Sequence, residues 1–276
     1  MTDIATRVET LSPWYHTFEL PDGVVTKGFY DLREVSQKVP MPGSLVGKRC
    51  LDAASADGFW AFEMARRGAD EVVSLDLDDP SQKDWQGIHA EDDLKKGTGD
   101  AAARFALVRE ALGFSNVKRV DMNLYDINPE ALGRFDYVFI GSVLLHLGDP
   151  GRALKAIRTV LKPDGELLSF EAISLLLSAV SRKVPLGQLW DGDDLSRWWT
   201  PNMAGHRRLV HAAGYEIIAK GGPMFQPFGQ SLPKRPPSFS SLLRHPRLLL
   251  FWTTVRWFGC ASGWVRARPA VGTVSR

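Results

Sequence analysis

A chain of 276 residues with 44% hydrophobic and 24% charged positions has an ordinary globular composition and enough length to bury a sizeable core. Its two cysteines, Cys50 and Cys260, exclude a disulfide framework and stand in no metal-ligand spacing. The net charge of +2 hides an imbalance: residues 221–276 hold eight of the 34 basic residues and none of the 32 acidic ones, a tail suited to an anionic partner or to packing on the acidic body.

Residues 1–47 read as irregular, with turns at Pro21-Asp22-Gly23 and over 39–44. The opening MTDIATRVET has neither a basic start nor an apolar core, so no secretory leader is expected and a cytoplasmic location is. GKRCLDAA gives a first strand, and the helix that follows from Gly58 stops at Gly68. EVVSLD (71–76) is a second strand, and the polar stretch over 78–100 reads as loop. A helix over 101–113 ends at Gly113 and leads to a third strand over 116–122.

The alternation continues with a strand over 134–144, a helix over 149–165 and a strand over 166–173. A helix over 202–214 and a strand over 215–220 complete it. Strands separated by helices of about a dozen residues predict a mainly parallel, doubly wound sheet with helices on both faces. The proline-rich and aromatic segment after Lys220 breaks the pattern, and GWVRARPA (263–270) reads as one more strand. The apolar run over 248–255 is too short for a membrane span and is closed by Arg256.

Ligands of such sheets bind beyond the carboxyl ends of the strands. The turn after the first strand offers Asp52, then Ala54, Ser55, Ala56 and Gly58, small residues that admit close approach of a ligand. A pyrophosphate asks more of glycine at the first two positions, so the alanines lean away from a dinucleotide. Asp76, ending the second strand, has the placement of a carboxylate that accepts both hydroxyls of a ribose.

These residues resemble the class I S-adenosylmethionine-dependent methyltransferases. Asp52 through Gly58 are similar to that family's first motif, and Asp76 with Leu77 to its second. RVDMNLYDI resembles the third, which implies Asn123 facing an adenine amino group with Met122 and Leu124 flanking the ring. FDYVFIGSVLLHLGDP resembles the fourth and sets Ser142, Val143 and His146 beside cofactor or acceptor. The implied fold is a Rossmann-like, doubly wound α/β sheet of seven strands. The seventh is antiparallel beside the fifth, 1–47 forms a lid, and 222–262 is a long insertion between strands six and seven of a domain over 48–276. WYHTFELPDGVVTKGFYDLR, SADGFWAFEMARRGA and WWTPN are similar to the subgroup of tRNA wobble-uridine 5-oxyacetate methyltransferases.

Methyl transfer asks the protein to align an acceptor and, where needed, to remove its proton. His146 and His16 are the candidate bases, because imidazole accepts a proton near neutral pH; a packing role for His146 and a lid role for His16 stay open. Trp14, Tyr15, Glu171, Trp199 and Asn202 are candidate acceptor contacts, and the aromatic ones suit core positions equally well. Three functions follow: O-methylation of a small molecule such as a natural product or sugar-like acceptor, methylation of a tRNA wobble uridine, or binding of S-adenosylmethionine without catalysis. The insertion, with Arg244, Arg247 and Arg256 among aromatics, reads as a lid or homodimer contact, or as a surface for RNA or an anionic membrane.

Overall fold

The computed structural model describes residues 3–86, 100–190, 196–231 and 258–271. The chain begins with helix α1 (Ile4–Thr10) and two short parallel strands, β1 (Trp14–His16) and β2 (Gly28–Tyr30). The segment before residue 47 is therefore more ordered than its irregular sequence suggests. Trp14, Phe18, Leu32 and Leu45 are exposed by 2% or less, so this cover is held by burial rather than by a repeating pattern.

The main sheet comprises β3 (Arg49–Ala53), β4 (Glu71–Asp76), β5 (Val117–Asp121), β6 (Phe135–Gly141), β7 (Leu161–Ala172), β10 (Tyr215–Gln226) and β11 (Cys260–Pro269). A small antiparallel pair, β8 (Gly187–Leu189) and β9 (Trp199–Pro201), lies apart from it. The spatial order is β10-β11-β7-β6-β3-β4-β5. All neighbours from β7 to β5 are parallel, and β11 runs antiparallel to both β7 and β10. This is the doubly wound seven-stranded arrangement the motifs implied. The chain steps from β3 outward through β4 in one direction and returns to β6 on the other side, which opens a crevice at the carboxyl ends of β3 and β6.

Both faces of the sheet are covered, which explains its near-continuous apolar strands. Alternation sends Cys50, Val72, Tyr137 and Phe139 into one core, shared with helix α2 (Phe59–Arg66), helix α3 (Ala101–Leu112) and the amino-terminal segment. Leu51, Val73, Val138 and Ile140 enter the other core, beneath the short helix α4 (Pro129–Leu132), α5 (Pro150–Thr159) and α7 (Met203–Ala212). Helix α6 (Leu175–Val180) sits outside both. Helix ends follow their local signals: Asp149 accepts the Arg152 N–H at 2.9 Å ahead of Pro150, and Gly113 closes α3 at φ +71°.

Several boundaries differ from the sequence pattern: α5 ends at Thr159 rather than 165, β6 at Gly141 rather than 144, β11 starts at Cys260 rather than 263, and β7 and β10 are longer than expected. β7 starts at Leu161 rather than 166, because Leu161 pairs with Phe135 and the Pro-Asp-Gly turn is accommodated by a register shift before Tyr137 pairs with Glu166. β10 continues past Lys220 to Gln226, its Gly222-Pro223 step absorbed by an irregularity between Gly221 and Met224. The connection from β10 to β11 thus spans 227–259 instead of 222–262. Arg244, Arg247 and Arg256 lie outside the described residues.

Candidate active site

The turn after β3 keeps the backbone shape of a glycine loop with side chains added. Ala54 and Ala56 adopt φ +65° and +50°, followed by Gly58 at φ +92°. Left-handed backbone is disfavoured for alanine by roughly 1 kcal/mol, so the surroundings must hold the turn in place. They do so from three sides. The Ser55 N–H donates to the Leu75 carbonyl at 3.0 Å, and the hydroxyls of Ser74 and Ser55 bond at 2.6 Å. The Ala56 N–H donates to the Asp76 carboxylate, and Arg119 donates to the Ala56 carbonyl at 2.7 Å. Gly58 is obligatory for a second reason: a Cβ there would stand 2.6 Å from Phe105 and 2.9 Å from Phe62.

Above this turn lies a cavity of about 400 Å³. Ala54, Ser55, Ala56, Asp76, Leu77, Met122, Asn123, Leu124, Ser142 and Val143 all line it, as do His16, His146 and Tyr15. Asp52 and Gly58 do not. Asp52 is buried beneath the turn, where its carboxylate accepts the Ala61 N–H at 2.9 Å, and Gly58 packs on α3. Four of the candidate acceptor contacts also lie off the cavity wall. Trp14 is core, its indole N–H donating to the Val8 carbonyl. Glu171 is 1% exposed and accepts the Leu144 N–H at 3.1 Å. Trp199 donates to the Leu144 carbonyl at 3.1 Å. Asn202 caps α7, its Oδ1 accepting N–H groups of Gly205 and Leu186 and its amide donating to carbonyls of Ser181 and Val184.

Electrostatics divide the site. Burial pushes the Asp76 carboxyl up and the Lys83 ammonium down, and each partly offsets the shift of the other. Burial drives Glu171 well above the usual carboxylate range, partly opposed by the N–H groups of Leu144 and Val143. Asn123 is locally engaged: its Oδ1 accepts the Tyr125 N–H at 3.0 Å and its amide reaches the Gln82 carbonyl at 3.4 Å. His146 lies on the turn after β6, with Nδ1 2.7 Å from the Ser196 carbonyl. His16 comes from β1, and its Nδ1 bonds the carboxylate of Asp57, which is fully buried.

The residues present fit S-adenosylmethionine. A carboxylate at the end of β4, small residues over 54–56 and the apolar flanks Leu77, Met122 and Leu124 make a slot for a nucleoside with an amino-acid arm. The Methyltransferase domain family model matches residues 51–169, which hold all of these residues. Residues 51–169 thus carry a methyltransferase domain, set on the seven-stranded sheet.

The methyltransferase domain has relatives of differing acceptor. The chain is 27% identical over 125 residues to the Ubiquinone biosynthesis O-methyltransferase of Acinetobacter baylyi, covering 45% of this chain and 44% of that one. It is 30% identical over 159 residues to the tRNA U34 carboxymethyltransferase of Azotobacter vinelandii, covering 57% and 43%. The chain thus spans under half the length of these two relatives. In fold, it is similar to the N-terminal domain of EvdMO1 crystallised in the presence of SAH and D-fucose, with a TM-score of 0.56, 15% identity and coverage of 97% and 96%.

Other cavity residues were not visible as site residues in the sequence. Tyr30, Lys83, Asp84, Arg104, Arg197 and Gln226 reach the wall from five separate segments. Asp57 left a signal, an acidic residue inside a run of small ones, which must find a partner when the loop is buried. Gln226 left none: it is placed by the extension of β10 and donates to the hydroxyls of Ser142 at 2.9 Å and Ser262 at 2.6 Å. Among the described residues, no group of three His, Cys, Asp or Glu could hold a metal ion, and no helix is long and apolar enough to cross a membrane.

Proposed function

We propose that the protein is an S-adenosylmethionine-dependent methyltransferase acting on a hydroxyl of a small, planar or sugar-like acceptor in the cytoplasm. One observation carries the reading: Asp76, Asn123 and Ser142 share a single cavity with two histidines and a wall of Tyr15, Phe29 and Tyr30. Bound S-adenosylmethionine would supply an electrophilic methyl group. The chain's residues have the remaining tasks. Asp76 and the 54–56 turn hold the donor, the aromatic wall excludes water and sets the acceptor plane, and a histidine takes the hydroxyl proton as the new bond to carbon forms. The similarity to an O-methyltransferase of ubiquinone biosynthesis supports oxygen as the atom modified.

Methylation of tRNA is the second reading, favoured by the similarity to a tRNA U34 carboxymethyltransferase and by the basic residues after 221. Isothermal titration against S-adenosylmethionine and against a nicotinamide dinucleotide tests the donor; we expect binding of the first alone. Cell extract incubated with the protein and methyl-labelled donor, then split into small-molecule and RNA fractions, tests the acceptor. Label in the small-molecule fraction is expected. Label in tRNA, with binding that weakens steeply as salt rises, would select the second reading. No binding of S-adenosylmethionine would reject both.

A further inference from the structure

We infer that Asp57 is a positioning residue that makes His16, rather than His146, the proton acceptor of the reaction. The inference rests on the proposed methyl transfer to a hydroxyl. Asp57 lies inside the donor-binding turn, between the left-handed residues Ala56 and Gly58, yet its carboxylate serves the amino-terminal strand. Its Oδ2 accepts the backbone N–H of Tyr15 at 3.1 Å and of His16 at 3.0 Å, and its Oδ1 bonds Nδ1 of the His16 ring. Three bonds from one carboxylate fix both the path of β1 and the rotation of the imidazole.

The consequences are chemical. Asp57 is fully buried and His16 is 5% exposed, so the pair interacts in a medium that screens charge poorly. A carboxylate acceptor at Nδ1 holds the ring proton there and leaves Nε2 as the basic nitrogen of a residue that lines the cavity. When Nε2 takes the acceptor's hydroxyl proton, the imidazolium forms beside a fixed negative charge and is stabilised without rearrangement. Other ionisable groups that feel the charge of Asp57 include Arg104, whose guanidinium donates to the Leu11 carbonyl at 2.8 Å, and the buried carboxyl of Asp52. His146 has the carbonyl of Ser196 against its Nδ1.

The arrangement also ties the turn after β3 to the candidate base: one side chain of that turn bonds His16 directly, adding to the β1–β2 pairing and the burial that hold the amino-terminal segment.

Long-range imidazole NMR on the ¹⁵N-labelled full chain is the direct test, with His16 assigned by the signals lost in His16→Gln. A neutral His16 protonated at Nδ1 is expected, shifting to the Nε2-protonated form in Asp57→Asn. In the extract assay, His16→Gln and Asp57→Asn should each lower label transfer by about 10²-fold or more, with S-adenosylmethionine affinity within about threefold of the parent, and the double variant should be no slower than His16→Gln alone. His146→Gln should fall by less than either. An Nε2-protonated His16 in the parent chain, or Asp57→Asn transferring at the parental rate, overturns the inference even though the donor binds. A parent chain that binds no S-adenosylmethionine overturns the proposed function instead, and the ring proton of His16 still reports separately on the pair.

Discussion

The carboxylate of Asp76 accepts the backbone N–H of Ala56, so the residue that ends β4 holds the turn that follows β3. Its other oxygen accepts the Leu77 N–H at 2.7 Å. One side chain thus sets the backbone on both sides of the nucleoside slot. Asp76→Ala is expected to weaken S-adenosylmethionine binding by about 1–3 kcal/mol, the range for a charge-assisted hydrogen bond lost from a buried site. Titration calorimetry checks this, and unchanged affinity would count against Asp76 as a donor contact.

The left-handed Ala54 and Ala56 make a second prediction. Glycine relieves the Cβ strain at each site but gains freedom in the unfolded chain, and the two effects are of similar size. Ala54→Gly and Ala56→Gly are each expected to change stability by at most about 1 kcal/mol, with melting temperature and donor affinity close to the parent's. A large loss of donor affinity with stability unchanged would show that the methyl groups themselves pack against the ligand.

Gly58→Ala should behave in the opposite way. Its φ of +92° strains alanine, and the new Cβ would meet the rings of Phe105 and Phe62 at under 3 Å. A loss of about 2–4 kcal/mol is expected in denaturant unfolding, from strain and overpacking together.

Asn202 separates fold from chemistry. It is wholly buried and makes four bonds of 3.0 Å or less that close α7 and the strand β8 approach. Asn202→Ala should cost about 2–4 kcal/mol of stability, since several buried groups lose partners at once. Donor affinity measured below the melting transition should stay unchanged.

Stability should also depend on pH through Asp52. Burial pushes its carboxyl up to about 8, opposed in part by the Ala61 N–H. Between the ordinary carboxylate value and that raised one, the folded state keeps a proton that the unfolded state releases. This contribution to stability is complete at low pH and is lost as pH rises toward about 8. Urea unfolding near pH 5 and near pH 8 should show the parent chain losing more stability than Asp52→Asn, whose amide oxygen still accepts the Ala61 N–H. Equal slopes would remove Asp52 from the account.

The sheet was legible because its signals are local. Apolar runs, the stop at Gly68 and the acidic residues ending strands one and two mark βα units whatever the tertiary context. The cavity residues proposed to hold the donor were legible for the same reason: Ala54 and Ser142 directly follow strands, Asp76 ends one, and Asn123 lies just beyond another. The acceptor side was not. Tyr15 and His16 are neighbours of Trp14 in sequence, yet Trp14 turns into the core while they face the cavity, a choice made by the pairing of β1 with β2 and by Asp57. Glu171 and Asn202 looked like site residues because polar groups at strand and helix ends often are; here backbone N–H groups claim them.

The cavity wall is supplied by two populations of residues. Those between 51 and 169, which include the residues proposed to hold the donor, fall in the region that matches the methyltransferase-domain family. Tyr15, His16, Tyr30, Arg197 and Gln226 lie outside that region, before it or after it in the chain. On the proposed division of the cavity, exchange of the flanking segments between such proteins is expected to move acceptor preference while leaving the donor residues in place, with Asp57 as the contact that any transplanted amino-terminal strand would have to satisfy.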